Sequence, residues 1–256
     1  MSPEKIPVTA VSTLECRNCG AGAPVDEHFC PSCSRILALG RHGDYFSFFG
    51  VPRRLTIDPA DLERRFRDLS RRFHPDYFYN APPAERLASL ERSSYLNDAY
   101  RALRSPMSRI EHLLAIEGLP PAKSEDPSTG SGQAAAKAPP ALLEEVFTLN
   151  EELDDIRQSR ESGADPSALR DRLESARRPI EEKREQHERE VESLCAQWDR
   201  QLEAGGSADK RATLEALRER LLERNYINNL LAAIDRETAN LGSGLSASGS
   251  GPEGRR

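Results

Sequence analysis

An all-α fold is what this sequence predicts: a helical hairpin, then a C-terminal three-helix bundle, with a small cysteine-bearing segment in front. Three observations carry that expectation. Apolar residues recur at steps of three and four through most of the chain, the spacing of one helix face. Asp-Pro, Pro-Pro and Ser-Pro pairs stand where such runs begin, as helix caps and first-turn residues do. No convincing strand alternation occurs outside the cysteine segment. The hydrophobic class makes up 37% of the 256 residues and Phe, Tyr and Trp together 6%, which suits slim helical layers and linkers rather than one large α/β core.

Taken in order, residues 1–14 read as a flexible arm and residues 15–39 as a Gly/Pro/Ser-rich segment holding four of the five cysteines. Residues 43–119 turn to dense Arg, Leu and Phe. There Asp58-Pro59 opens a helix over 59–73 with Leu62, Phe66, Leu69 and Phe73 at steps of 4, 3 and 4. Pro82-Pro83 opens the next, with Leu96, Ala99, Tyr100 and Leu103 on one stripe. Ser105-Pro106 ends that helix and starts a short one carrying Ile110, Leu113 and Leu114.

Residues 120–140 form a linker; within it SEDPSTGSGQAAAKAPP has no large apolar side chain. Residues 141–241 form the bundle. Leu142, Val146, Leu149, Leu153 and Ile156 mark its first helix. Asp165-Pro166 starts the second, whose face runs Leu169, Leu173, Ala176, Ile180, His187, Val191, Leu194, Trp198 and Leu202, with Pro179 expected to kink it. Gly205-Gly206-Ser207 is a turn, and the third helix carries Leu214, Leu217, Leu221, Ile227, Leu230 and Ile234. Residues 242–256 read as a disordered tail.

The charge balance narrows the function. Lys+Arg 36 against Asp+Glu 42 gives −6 at pH 7, without the basic surplus that a bulk polyanion binder needs. No apolar run approaches the roughly 18 residues of a spanning helix, and the N-terminus has no secretory leader, so a soluble cytoplasmic protein is expected, off the membrane.

Cys16-x2-Cys19 and Cys30-x2-Cys33 each aim two sulfurs from a tight turn, and together they supply the tetrahedral shell of a structural Zn(II) site. Gly20, Gly22 and Pro31 suit the two turns. A segment this short buries little core, so the metal organises it. Structural disulfides fit a cytoplasmic chain poorly. A redox CxxC normally sits on a strand–helix unit, which is absent. Four Cys ligands leave no open catalytic position. Cys195 falls on a helix beside Leu194 and Trp198 and reads as a packed thiol.

His74-Pro75-Asp76 falls where the first apolar stripe stops. Pro75 fixes its own φ and pushes His74 out of helical geometry, so His74 and Asp76 project from a stiff loop. The helix before it carries Arg64, Arg65, Arg67, Arg71 and Arg72, largely off the apolar stripe.

An arginine-rich helix, HPD, a loop and a helix ending LNDAYRALRSP together resemble the J domain of DnaJ-type co-chaperones. YFSFFGVP (45–52), the Leu55-x-Ile57-Asp58 start, PMSRIEHLLAIEG (106–118) and LNEELDDI (149–156) narrow the resemblance to HscB, the J-protein of iron–sulfur cluster biogenesis. It spans about 43–241 less the linker, and some relatives carry an N-terminal two-CxxC extension. Two features depart from the family: Tyr77 follows the tripeptide where Lys is usual, and the linker is longer.

The resemblance implies a J domain over 43–119 and a client-binding domain over 141–241. It also implies a co-chaperone that does no chemistry itself. Such proteins stimulate the ATPase of a DnaK-type, HscA-like chaperone and deliver the scaffold protein IscU to it, aiding cluster transfer. His74, Pro75 and Asp76 would dock on the chaperone. Asp76 would accept a bond from a chaperone arginine, and Arg64, Arg65, Arg67, Arg71 and Arg72 would steer the encounter. The client residues carried over are Leu143, Glu144, Phe147, Thr148, Glu151, Asp155 and Tyr226. From the residues themselves, Leu143 and Phe147 form an i,i+4 pair offset from the core stripe, a recognition patch or a widened core face.

Two other readings compete. A general J-domain co-chaperone with another client keeps the HPD and zinc assignments and loses IscU. A zinc-knuckle nucleic-acid binder is opposed by the acidic net charge and by the lack of aromatic–basic interleaving near the cysteines. An enzyme is more remote, for no nucleophile–base pair, Gly-rich phosphate loop or open metal site is visible.

Overall fold

Proline and aspartate set where the helices begin. In the computed structural model, which describes residues 13–24, 27–37, 44–120, 143–205 and 210–243, Asp58 caps the helix α2 below by accepting from the Ala60 N–H, and Pro59 stands at its first position. Two short strands come first, β1 (Thr13–Glu15) and β2 (Gly22–Pro24), paired antiparallel with Leu14 opposite Ala23. Then follow α1 (Tyr45–Phe49), α2 (Pro59–Phe73), a single 3₁₀ turn (Pro75–Phe78), α3 (Pro83–Arg104) and α4 (Pro106–Ile116). The longer helices are α5 (Leu143–Glu161), α6 (Pro166–Ala204) and α7 (Lys210–Ser243). The fold is therefore mostly helical, as the sequence pattern predicts, with a small N-terminal β-hairpin that the pattern does not show.

The chain divides into two compact units, residues 1–118 with 198–206, and residues 119–197 with 207–256. In the first, α2 and α3 pack on each other and on α1, and Leu62, Leu69, Phe73, Leu96, Ala99 and Leu103 are buried. Phe66 stacks on Tyr100 with ring centroids 4.3 Å apart. The five-residue α1, not expected from the sequence, is closed by a capping box: Asp44 accepts from the Ser47 N–H, and the Ser47 hydroxyl reaches back to the Asp44 N–H. It delivers Phe46, Phe48 and Phe49 to the core. Too short to show periodicity, it escapes pattern reading. Asp199 binds the Leu55 and Thr56 N–H groups at 2.7 and 2.9 Å, and the Trp198 Nε1–H donates to the Arg53 carbonyl at 2.8 Å.

The second unit buries Val146, Leu149, Leu153 and Ile156 of α5 with Leu169, Leu173 and Ile180 of α6 and Ile227, Leu230 and Ile234 of α7. Pro179 lies inside α6, which continues unbroken past it. Buried Glu237 of α7 takes the Arg157 Nε–H at 2.7 Å and lies 3.4 Å from Arg160, joining α7 to α5. Leu142, the stretch 124–140, the Gly206-Ser207 half of the last turn, most of the arm (1–12) and most of the tail (244–256) lie outside the described residues. Among the described residues, no helix is long and apolar enough to cross a membrane.

Candidate functional site

The two CxxC turns share one geometry. In the first, the Gly20 N–H donates to the Cys16 carbonyl and the Cys16 N–H to the Ala21 carbonyl, both at 2.8 Å. In the second, Ser34 N–H to Cys30 O (2.8 Å) and Cys30 N–H to Arg35 O (2.9 Å) repeat the pattern. Each turn needs a left-handed residue after its second cysteine: Gly20 at φ +73° and Ser34 at φ +58°. Gly22, expected to help the turn, instead lies in β2 opposite Glu15.

The turns bring all four sulfurs within 4.8 Å of one another. The Cys16–Cys33 and Cys19–Cys30 Sγ separations are 3.8 and 3.7 Å. A regular tetrahedron of metal–sulfur bonds near 2.3 Å has edges of about 3.8 Å. The separations fit such a shell and are far too long for disulfide bonds. The Arg35 N–H, then the Asn18 side chain, pull the Cys33 thiol down to about 6.

His28, close in sequence to the cysteines, turns away from them. Its ring is buried against Phe48 and Phe73, with centroids 4.7 and 4.9 Å away. Nδ1 lies 2.5 Å from Arg92 NH1 and Nε2 lies 3.0 Å from the Phe48 carbonyl. Arginine only donates, so Nδ1 accepts and Nε2 carries the proton.

The tripeptide begins at the C-terminus of α2. His74 has φ −59° and ψ 127°, outside helical geometry, and its Nδ1 accepts from the Asp76 N–H at 3.4 Å as the N-cap of the 3₁₀ turn. The loop is thus a turn of 3₁₀ helix. The Asp76 side chain is 87% exposed and that of His74 52%; Tyr77 and Tyr79 are exposed beside them.

The arginines of α2 are less free than their number suggests. Arg64 and Arg65 pair with Asp61, Arg67 with Glu63, and Arg71 with Asp68. Arg65 also donates to the Phe49 and Gly50 carbonyls at 3.2 and 3.3 Å. Arg72 lies over the Phe29 ring at 4.7 Å. Arg65 and Arg72 thus also make contacts within the first unit, and Arg72 stays exposed.

In the second unit, Glu144, Thr148, Glu151 and Asp155 of α5 line one groove of about 820 Å³, with Pro179 and Ile180 of α6 among its apolar walls. Phe147 is 56% exposed. Leu143 is half-buried against the bundle core, as is Tyr226. The Leu143–Phe147 pair is therefore split: one member supports the core and the other faces solvent.

Sequence reasoning passed over Arg92. It stands in step with Ala88, Leu96, Ala99 and Leu103 on the buried face of α3 and is itself 0% exposed. An arginine on an apolar stripe was the available signal.

No family model matches the chain. Among solved structures, that of the human co-chaperone protein HscB aligns over 88% of this chain and 98% of its own, with a TM-score of 0.58 and 24% sequence identity. This chain has the fold of human HscB. The chaperone HscB from Vibrio cholerae aligns over 77% of this chain and 99% of its own, at 26% identity and a TM-score of 0.47. The four-cysteine cluster stands in the described chain alongside that fold.

Proposed function

We propose that this chain is a co-chaperone. It stimulates the ATPase of a DnaK-type, HscA-like chaperone and delivers an IscU-like iron–sulfur scaffold protein to it, making and breaking no covalent bonds itself. The observation that carries the reading is the tripeptide's presentation, an exposed Asp76 and His74 on a short turn at the end of an arginine-bearing helix, within an HscB-like fold. Asp76 is an acceptor for a chaperone arginine, a charge-assisted and directional bond. His74 and Pro75 shape the turn that aims it. The pairs of Arg64, Arg67 and Arg71 with their own helix are solvent-exposed and worth little. They exchange readily for carboxylates of an acidic partner surface.

Three parts divide the work: a metal module over 15–39, a J domain over 43–119 and a client domain over 141–241. Four thiolates with no open position suit structural Zn(II), and thiols kept reduced suit a cytoplasmic protein. The scaffold protein is taken by the face of α5 that carries Glu144, Phe147, Thr148, Glu151 and Asp155, with Leu143 and Tyr226 supporting it from the core side.

The test is the ATPase rate of a DnaK-type chaperone with and without this protein and IscU. The wild type is expected to accelerate hydrolysis, and more so with IscU. His74→Gln should keep the wild-type melting temperature and lose the acceleration. A variant that stimulates as well as wild type would remove the reading.

A further inference from the structure

The four-cysteine module is hydrogen-bonded to α3. Its second turn closes a small loop in which the Leu37 N–H donates to the His28 carbonyl at 3.0 Å and Phe29 bridges to Ile36. The two ends of that loop reach one side chain on α3. The Arg92 Nε–H donates to the Leu37 carbonyl at 2.9 Å, and Arg92 NH1 donates to His28 Nδ1. Arg92 is 0% exposed, and its guanidinium lies 5.5 Å from the centroid of the Phe73 ring. His28 meets that ring edge-on, and Phe29 stacks on it at 5.9 Å. The Phe73 carbonyl, the last of α2, is held by the Ser89 and Ser93 hydroxyls of α3 at 2.6 and 3.0 Å. Phe73 immediately precedes His74.

We propose that the metal module positions the His74-Pro75-Asp76 turn: His28 and the Leu37 carbonyl fix Arg92 under Phe73, and Phe73 fixes the end of α2 from which the tripeptide leaves. His28, Arg92 and Phe73 are positioning residues, since none of them is exposed to a partner. The physical cause is the burial of a guanidinium. A buried cation needs its acceptors in place, and two of them ride on a loop whose own core is only the small cluster of Cys16, Ala23, Cys30 and Leu37. When the metal leaves, the second CxxC turn opens, the ends of the loop separate, and Arg92 loses these two acceptors. Arg92 and Phe73 then shift together, and the turn that presents Asp76 loosens. The consequence for chaperone stimulation rests on the function proposed above; the coupling itself does not.

The test is amide exchange on the full-length protein, followed by mass spectrometry over 73–79, with α4 (Pro106–Ile116) as internal reference. Three samples are compared: the zinc-loaded wild type, the same protein stripped by a chelator under reducing conditions, and zinc-loaded His28→Ala. Exchange over 73–79 should quicken on the order of tenfold in the last two, the scale of one buried hydrogen bond lost from a local opening. The reference helix should stay unchanged. His28→Ala should still hold one zinc, which separates loss of the His28–Arg92 contact from loss of the metal. If the variant cannot hold zinc, its exchange should match that of the stripped protein. Unchanged exchange over 73–79 in both samples would overturn the proposal, and so would a uniform rise that includes the reference helix. Faster exchange over 73–79 in a protein that never stimulates the chaperone would overturn the co-chaperone reading and leave the coupling standing.

Discussion

Ser34 has φ +58°, the one non-glycine residue on the positive side of φ among the described residues, at the place where the matching turn has Gly20. A β-carbon there crowds the backbone. Ser34→Gly should therefore stabilise the module by about 1 kcal/mol, part of the gain being offset by the freer unfolded chain. The measurement is the chelator concentration that extracts half the metal, which should rise.

Asp44 offers a second test at the same scale. Burial raises its pKa, but the Ser47 N–H and the Arg53 guanidinium outweigh that and hold it below the ordinary carboxylate value. The Arg53 contacts are 3.0 and 2.7 Å. A depressed native pKa means stability that is present at neutral pH and lost as pH falls through the ordinary carboxylate range and then the native value. Asp44→Asn keeps an oxygen for the Ser47 N–H and loses the ion pair. It should cost about 1–2 kcal/mol at pH 7 and flatten the acid limb of the stability curve, read from denaturant midpoints at several pH values.

At the scale of elements, the sequence made α2, α3 and α4 legible because a proline stands at each start and an apolar stripe runs along each. Their observed starts are Pro59, Pro83 and Pro106. The cysteine cluster was legible for a similar reason, because both halves of each CxxC are local. The His28–Arg92 contact was not. Arg92 and His28 are 64 residues apart, and no periodicity links them. The surface of α5 was only half legible, because spacing locates a stripe and not its edges. Leu143 and Phe147, equivalent on a helical wheel, have different fates once α7 is packed beside α5. They should now separate in one experiment. Phe147→Ala should leave the melting temperature unchanged and weaken IscU binding by at least ~2 kcal/mol if it is a central anchor. Leu143→Ala should lower the melting temperature first, by the loss of a half-buried side chain worth roughly 1–2 kcal/mol.

At the scale of the whole molecule, two units with separate cores imply separable stabilities. The bundle core, built around Leu153, Ile156, Ile227 and Ile234, contains none of the four clustered cysteines. Cys30→Ser, or removal of the metal, should therefore leave the bundle's unfolding transition where it was and most of the far-UV helical signal intact. The transition of the first unit should move to lower temperature. Calorimetry resolves the two, and a single transition that shifts as a whole would show that the units do not unfold independently.

The buried guanidinium of α3 also sets an order of events in time. A nascent α2–α3 hairpin can collapse on Phe66, Leu69, Tyr100 and Leu103 by itself, since those partners are close along the chain. On the coupling proposed above, it buries Arg92 fully only when the Leu37 carbonyl and the His28 ring arrive on the loop that the second CxxC turn closes. Loading of an ion at the four cysteines would then be a late and committing step in maturation. A chain that emerges in metal-poor conditions would wait as a partly collapsed hairpin with a charged side chain at its open edge, soluble and exposed to proteases until the ion arrives.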